Sequence, residues 1–139
     1  RHSSIEDDMV VLGTEIELVR DAVEAVSERR NRCLDYRKRT QPLHLPSAGS
    51  VFRNPQMIRE AEASVQSDAV QPAAAALLEA VGLKGLVRGG VQFSDLHANW
   101  LVKIGPEARS SDVRALISEA KAAVFARFDV QLSPELVLW

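Results

Sequence analysis

Residues 72–104 read PAAAALLEAVGLKGLVRGGVQFSDLHANWLVKI and change character twice along their length. A proline at a first helical turn, an alanine- and leucine-rich run and the closing Gly82 predict a short helix. Four glycines within 82–90 must turn the chain repeatedly. From Val91 to Lys103 the sequence becomes β-like, and NWLVKI is its best strand candidate. Helix, turns and strands in close succession predict a fold that combines both kinds of secondary structure.

The N-terminal third carries two further predicted elements. Met9 to Leu18 ends in an apolar/polar alternation, which predicts a strand. A helix is expected from about Val19 to Lys38, with its charged SERRNR run facing solvent. The single cysteine, Cys33, falls on this helix, where it is interpreted as a small buried apolar residue. The proline-rich segment that follows, residues 40–55, is predicted to be non-helical and anchored in the core by Phe52.

The C-terminal third predicts a long helix and a last strand. Ser110 or Ser111 is the expected N-cap of that helix. Its predicted core face is Val113, Leu116, Ile117, Ala120, Val124 and Phe128. VQLSPELVLW, residues 130–139, is predicted to be the final strand, and residues 56–71 a surface insertion. Strands interleaved with three helices indicate α+β or α/β, and we predict α+β: a mixed sheet covered by helices, in one domain over 1–139.

Composition excludes several classes of protein. With 139 residues, 46% of them hydrophobic, the chain can bury one ordinary core. Charged residues make up 26% and the net charge is −2, which argues against a disordered chain or a general nucleic-acid binder. No apolar run approaches a membrane span and no signal peptide is recognised, so a cytoplasmic protein is expected. The first residue is Arg1, which suggests a processed chain or a piece of a longer one.

The stretch LPSAGSVFRNP, residues 45–55, places a serine on an unusual turn. Gly49 lets the backbone turn and lets a ligand approach, so that the Ser50 hydroxyl can donate a hydrogen bond or a proton. Arg53 and Asn54 add a cation and an amide, the usual partners of phosphate or carbonyl oxygens. The alternative is an ordinary serine-rich turn. The surrounding residues do not form G-x-S-x-G, so the sequence gives little support to a hydrolase.

Three other residues could carry chemistry. Lys84 stands among glycines and could face an anion, although a glycine-rich connector with solvated cations is the alternative. His97 could be a polar site residue or a satisfied core histidine, and without a second His or Cys at ligand spacing no metal site is expected. Glu135 lies in an apolar segment, where it either points to solvent or is buried as a proton donor.

Three stretches together resemble one known family. QPLHLPSAGSVFRNP, AVGLKGLVRGGVQFSDLHANWLVKIG and SSDVRALISEAKAAVFARFDVQLSPELVLW are similar, in order and spacing, to the C-terminal half of the UDP-N-acetylenolpyruvoylglucosamine reductase (MurB) family. The opening RHSS also resembles the end of that family's Y-R-x-S motif. The resemblance implies a cell-wall enzyme in which NADPH reduces FAD and the flavin passes hydride to the enolpyruvyl ether of UDP-N-acetylglucosamine.

The resemblance also implies roles for individual residues. Ser50 matches the serine that supplies a proton to C2 of the substrate, and Glu135 the glutamate that stabilises the enolate-like intermediate. Asn54 matches a residue that contacts the UDP diphosphate, and Lys84 and His97 match substrate-side positions. Thr40 stands where the family commonly has a lysine, so Arg37 or Arg39 is expected to supply that charge.

The family's FAD-binding domain and a catalytic arginine precede the matched region. The resemblance therefore implies a substrate-binding domain that lacks this partner domain, docks against it through an apolar face, and is catalytically silent alone. FAD and NADPH are not expected to bind this chain by itself, and the expected ligand is UDP-N-acetylglucosamine enolpyruvate. The alternative is a stand-alone nucleotide-sugar binding or interaction module with the same fold and no catalysis.

Overall fold

The structure is a computed structural model that describes residues 5, 9–55 and 72–137. The chain divides into two compact units, residues 1–33 and 34–139. The predicted insertion at residues 56–71, the RHSS stretch and the last two residues of the predicted final strand lie outside the described residues.

The first unit contains the start of helix α1, Val23–Thr40. Its first turn follows Asp21, whose carboxylate accepts the Ala22 N–H at 2.8 Å, so the helix begins later than the predicted Val19. None of its residues is buried, and Cys33 is exposed rather than buried as predicted. The pattern of apolar residues on α1 therefore does not mark a core face in this structure.

The strand predicted at Met9 to Leu18 is wrong, because described residues 9–22 form neither strand nor helix. Leu12 and Leu18 are 95% and 83% exposed, so these apolar side chains do not pack against other described residues. A strand needs a neighbour to satisfy its backbone groups, and the local alternation does not provide one.

The second unit is built on a four-stranded sheet. Its strands are β1, Ser47–Ser50; β2, Val87–Arg88; β3, Val91–Phe93; and β4, Trp100–Lys103. They lie in the order β1-β4-β3-β2, and every pairing is antiparallel, so the described sheet is not the mixed sheet that was predicted. Strands β3 and β4 confirm the β-like reading of residues 91–103. The hairpin from β2 to β3 turns through Gly89, whose φ of +52° favours glycine.

Two helices complete the second unit. Helix α2, Ala74–Ala80, is followed by Gly82 at φ +76°, which confirms the predicted glycine end. Helix α3, Ser110–Phe128, packs against α2 and β2. Its N-cap is Arg109, not a serine: the Asp112 carboxylate accepts the Arg109 N–H at 3.0 Å. The buried residues of α3 are Leu116, Ile117, Ala120 and Val124, all from the predicted face. The α+β class is confirmed.

The segment after α3 does not form the predicted final strand over its described residues. It makes a single antiparallel bridge, between Phe52 and Pro134. Two backbone hydrogen bonds flank that bridge, from Arg53 N–H to Ser133 O at 2.9 Å and from Glu135 N–H to Val51 O at 2.7 Å. Phe52 and Pro134 thus form a non-hydrogen-bonded pair, so the missing N–H of Pro134 costs this pairing no hydrogen bond. Phe52 is 1% exposed, which confirms it as a core anchor.

Replacing Gly49 with alanine tests the strained turn within β1. Gly49 has φ +87°, and an added Cβ would meet nothing within 4 Å, so the cost is one of backbone conformation alone. We expect Gly49→Ala to lower the free energy of unfolding by about 1–2 kcal/mol, measured by urea denaturation. Gly13→Ala is the matched control, since Gly13 also has open space but no positive φ. Equal effects of the two substitutions would contradict this account.

Candidate functional site

The site begins at an irregularity in β1. Ser47 pairs with Val102 and Ser50 with Trp100, so three steps along β1 match two along β4. Such a β-bulge inserts an extra residue and re-aims the side chains that follow it. Gly49 takes up the turn inside this bulge. The glycine that precedes Ser50 thus has the conformational purpose that the sequence predicts.

The two serines of β1 have different surroundings. The Ser47 hydroxyl donates to the Leu101 carbonyl at 2.7 Å and accepts the Gly49 N–H at 3.1 Å, so it holds the bulge together. Ser50 is half-buried, and its hydroxyl has no hydrogen-bond partner among the described residues. The Ser50 hydroxyl is therefore available to a ligand, whereas that of Ser47 is not.

Glu135 is brought beside Ser50 by the backbone. Its N–H donates to the carbonyl of Val51, the residue directly after Ser50, at 2.7 Å. Glu135 is exposed, in agreement with the solvent-facing alternative. Two residues far apart in the sequence, both predicted to carry chemistry, thus stand on neighbouring backbone segments.

A buried asparagine, Asn99, lies behind both of them and is 5% exposed. Its Oδ1 accepts the Phe52 N–H at 2.9 Å, and its Nδ2 donates to the Phe52 carbonyl at 2.8 Å. Its own backbone carbonyl accepts the Val51 N–H at 2.9 Å. Asn99 thus holds residues 51 and 52 at three points.

Asn54 has a structural contact as well as a free amide group. Its Oδ1 accepts the backbone N–H of Ala74, the first residue of α2, at 3.0 Å. This contact uses the carbonyl of the side chain and leaves the Nδ2 donor of an exposed residue without a described partner. Asn54 can therefore order α2 and still donate to a ligand oxygen.

Lys84 and His97 lie within electrostatic range of each other. Lys84 pairs with Glu79 at 2.9 Å, and His97 lies with its ring 6.2 Å from that of Trp100, the residue paired with Ser50. Burial lowers the pKa of the His97 imidazole, and the nearby Lys84 ammonium lowers this pKa further. His97 Nδ1 accepts the Asn99 N–H at 3.2 Å, which requires that nitrogen to be unprotonated.

Arg37 is not joined to these residues by any described contact. Its Nε donates to the Gln41 side chain at 3.1 Å, four residues on. Its predicted contact with a diphosphate stays a prediction. In the described ranges no group of three or more His, Cys, Asp and Glu side chains is placed to bind a metal ion.

A family model for "UDP-N-acetylenolpyruvoylglucosamine reductase, C-terminal domain" matches residues 41–139. The chain belongs to this family. A reductase of that name from Moorella thermoacetica is 36% identical over 139 residues, which cover 100% of this chain and 41% of that protein. Another from Syntrophobacter fumaroxidans is 45% identical over 100 residues, 72% of this chain and 25% of that protein. The present chain thus spans well under half the length of these reductases.

Structural comparison agrees with the sequence comparison. A crystal structure of UDP-N-acetylenolpyruvylglucosamine reductase (MurB) from Thermus caldophilus matches with a TM-score of 0.59 and 28% identity. The match covers 86% of this chain and 37% of that one. The resemblance to the MurB C-terminal domain, drawn from the sequence motifs, is confirmed.

Cavities among the described residues include two beside α3. One, of about 290 Å³, lies between the bulge and the start of α3, and another, of about 420 Å³, between α3 and residues 131–134. The described part of the chain contains no helix long and apolar enough to cross a membrane.

Sequence reasoning did not single out two residues of this MurB-type site. Asn99 lies two residues after His97, and Trp100 falls in the strand candidate NWLVKI, but no site role was predicted for either residue. A single buried asparagine produces no periodic pattern in the sequence, because the backbone groups that it binds lie near it only in the folded chain. Trp100 offered a weak signal, as an aromatic residue at the start of the best strand candidate.

The lowered pKa of His97 predicts how stability changes with pH. In the unfolded chain the imidazole has a pKa of about 6.5. Above that pH His97 is neutral in both states, so its contribution to the free energy of unfolding is at its maximum. This stability is lost as the pH falls through the lower pKa of the folded state. When the pH is lowered from about 7.5 to about 5, we expect the free energy of unfolding of His97→Gln to fall less than that of the wild type. Urea denaturation at each pH measures this difference. A His97 variant that kept the wild-type pH dependence would contradict the prediction.

Proposed function

We propose that this chain is the substrate-binding domain of a UDP-N-acetylmuramate dehydrogenase, an enzyme of peptidoglycan synthesis. The complete enzyme would reduce the enolpyruvyl ether of UDP-N-acetylglucosamine with NADPH through FAD. The observation that carries the proposal is the hydrogen bond from Glu135 N–H to the Val51 carbonyl, because it joins the Glu135 segment to the one that bears Ser50.

In the proposed reaction, the substrate gains a hydride at C3 and a proton at C2. Hydride addition leaves negative charge on C2 and the adjoining carboxylate, which needs hydrogen-bond donors already in place. The Ser50 hydroxyl gives its proton to C2 and is reprotonated from solvent. Serine is a weak acid, but a strongly basic carbanion needs only a nearby hydroxyl. Glu135 is proposed to help stabilise the enolate-like intermediate, as the family resemblance implies.

The nucleotide end of the substrate is assigned to Asn54 and the glycine-rich segment. The exposed Nδ2 of Asn54 is a donor suited to a diphosphate oxygen, and Lys84 supplies a cation, with His97 on the substrate side. Thr40 stands where the family commonly has a lysine, so Arg37 is proposed to supply the positive charge of that lysine. Support for Arg37 is the weakest of these, since no described contact joins it to the others.

We assign the binding of FAD and NADPH to the part of the related reductases that this chain does not span. The short coverage of those reductases, 41% and 25%, supports this division. The proposed partner is a flavin-binding domain, and the chain by itself is expected to bind substrate weakly and to catalyse nothing. The proposed location of the enzyme is the cytoplasm.

Titration with UDP tests the proposed diphosphate contact at Asn54. Asn54→Asp keeps an oxygen acceptor for the Ala74 N–H, so α2 should remain ordered and the free energy of unfolding should stay within about 0.5 kcal/mol. The substitution removes the Nδ2 donor and adds a charge that repels a diphosphate. Calorimetry should therefore show about tenfold weaker UDP binding, equal to about 1.4 kcal/mol.

Two outcomes would count against the proposal. Equal affinity of the wild type and Asn54→Asp would remove Asn54 from the site. Failure of the wild type to bind UDP or UDP-N-acetylglucosamine at roughly millimolar concentration would indicate that this chain holds no preformed nucleotide-sugar site.

A further inference from the structure

We infer that Asn99 is a positioning residue, which fixes the segments bearing Ser50 and Glu135 relative to each other through the backbone of Phe52. The inference rests on the proposed function for its catalytic meaning, but its structural part can be tested separately. Asn99 touches neither Ser50 nor Glu135 in any described contact. It acts on both through the two residues that connect them.

The contacts of Asn99 converge on one short stretch of backbone. The side-chain amide satisfies both the N–H and the carbonyl of Phe52, at 2.9 and 2.8 Å. The backbone carbonyl of Asn99 accepts the Val51 N–H, and the Val51 carbonyl in turn accepts the Glu135 N–H. A movement of residues 51 and 52 would therefore displace Ser50 directly and Glu135 through one hydrogen bond.

Besides those of Asn99, few hydrogen bonds hold this stretch, although the Val51 and Phe52 side chains pack in the core. The bulge interrupts the regular register of β1 and β4 just before it. On its other side, two backbone hydrogen bonds link 51–53 to 133–135. Core packing fixes the side chains of Val51 and Phe52, and the Asn99 amide fixes the direction of the Phe52 backbone groups.

Asparagine is well suited to this position. The backbone of Phe52 presents one donor and one acceptor, and a side-chain amide offers the complementary pair on a short, planar group. An ionised aspartate has no donor for the Phe52 carbonyl, and glutamine is longer by one methylene. A buried polar group left without its partner is costly, so the position should tolerate few substitutes.

The experiment is backbone amide hydrogen exchange on the wild type, Asn99→Asp and a control. At about neutral pH, we expect Asn99→Asp to speed exchange at Arg53 and Glu135 about tenfold more than at Phe93 and Lys103, because one buried hydrogen bond is lost locally. Ser94→Ala is the matched control: Ser94 is also buried in the β3–β4 connection, and its hydroxyl accepts the Leu96 N–H outside the Asn99 contacts. We expect Ser94→Ala to change the exchange rates of these four amides by similar factors.

Acidification provides a rescue in the same variant. Protonation of the introduced carboxyl restores a donor for the Phe52 carbonyl, so the excess exchange at Arg53 and Glu135 should shrink at about pH 4 after correction for intrinsic rates. Uniform acceleration of all four amides by Asn99→Asp would overturn the inference and leave Asn99 a general stabilising residue. If this variant does not fold, Asn99→Gln, which retains both groups, is measured by the same criterion.

Titration with UDP-N-acetylglucosamine enolpyruvate separates this inference from the proposed function. The wild-type chain should show amide shifts at both Ser50 and Glu135, and Asn99→Asp should keep the nucleotide affinity within about threefold while the two shifts fall by at least about half. Absence of any wild-type response would reject the proposed function, with the exchange data still deciding the role of Asn99. A wild-type response together with uniform exchange would reject only the positioning role.

Discussion

Ser50→Ala is expected to lower the turnover of a complete reductase that carries this domain by about 10²- to 10⁴-fold, the usual contribution of a positioned proton donor. The substitution removes one hydroxyl that has no hydrogen-bond partner among the described residues, so the fold should be unaffected. Substrate affinity should change only a few-fold, because the proposed contacts to the nucleotide end are made by other residues. The measurement is steady-state oxidation of NADPH with saturating substrate.

Ser47→Ala is the matched control for this prediction. Ser47 lies in the same strand, but its hydroxyl is occupied by the Leu101 carbonyl and the Gly49 N–H. We expect a loss of about 1 kcal/mol in unfolding free energy and turnover within about threefold of the wild type. If Ser50→Ala retained wild-type turnover, or if Ser47→Ala lost as much, the assignment of the proton donor to Ser50 would be wrong.

Phe52→Ala is expected to produce the largest loss of stability, about 3–5 kcal/mol. The ring is 1% exposed and lies in the core with Leu132 and Leu116. Its removal leaves a cavity below the backbone that Asn99 and Ser133 hold. Urea denaturation monitored by circular dichroism measures the change in unfolding free energy.

The control is a phenylalanine with partial exposure. Phe125 lies on α3 and is 48% exposed, so Phe125→Ala should cost only about 1 kcal/mol. Comparable losses for the two variants would contradict the description of Phe52 as the anchor of the 51–53 segment. The loss expected for Phe52→Ala is a large share of the roughly 5–15 kcal/mol that stabilises a domain, whereas that for Phe125→Ala is small.

Local sequence patterns predicted the parts of the fold that depend on neighbouring residues. The helix face of α3, the strands within 91–103 and the glycine after α2 all follow from periodicity or from turn chemistry. Phe52 was recognised because it is the one phenylalanine in the proline-rich segment 40–55. Here the local signal and the final burial agree.

Patterns failed where the outcome depends on a distant partner. The alternation in residues 9–18 is typical of a strand, but no neighbouring strand lies against it in the described residues. The C-terminal segment has apolar residues enough for a strand, but its described residues make a single bridge, from Pro134 to Phe52. The pairing of the Ser50 and Glu135 segments could only be expected from family resemblance, since no rule of spacing brings such distant residues together.

The most direct test is amide shift mapping on the isotope-labelled chain, with UDP-N-acetylglucosamine enolpyruvate and with UDP as separate ligands. Both ligands should shift Asn54, since both carry the diphosphate. Only the enolpyruvate ligand should also shift Ser50 and Glu135, with one dissociation constant for the two residues. Shifts at Ser50 without Glu135, or an equal response of both residues to UDP alone, would contradict the claim that these two segments form one site for the enolpyruvyl group.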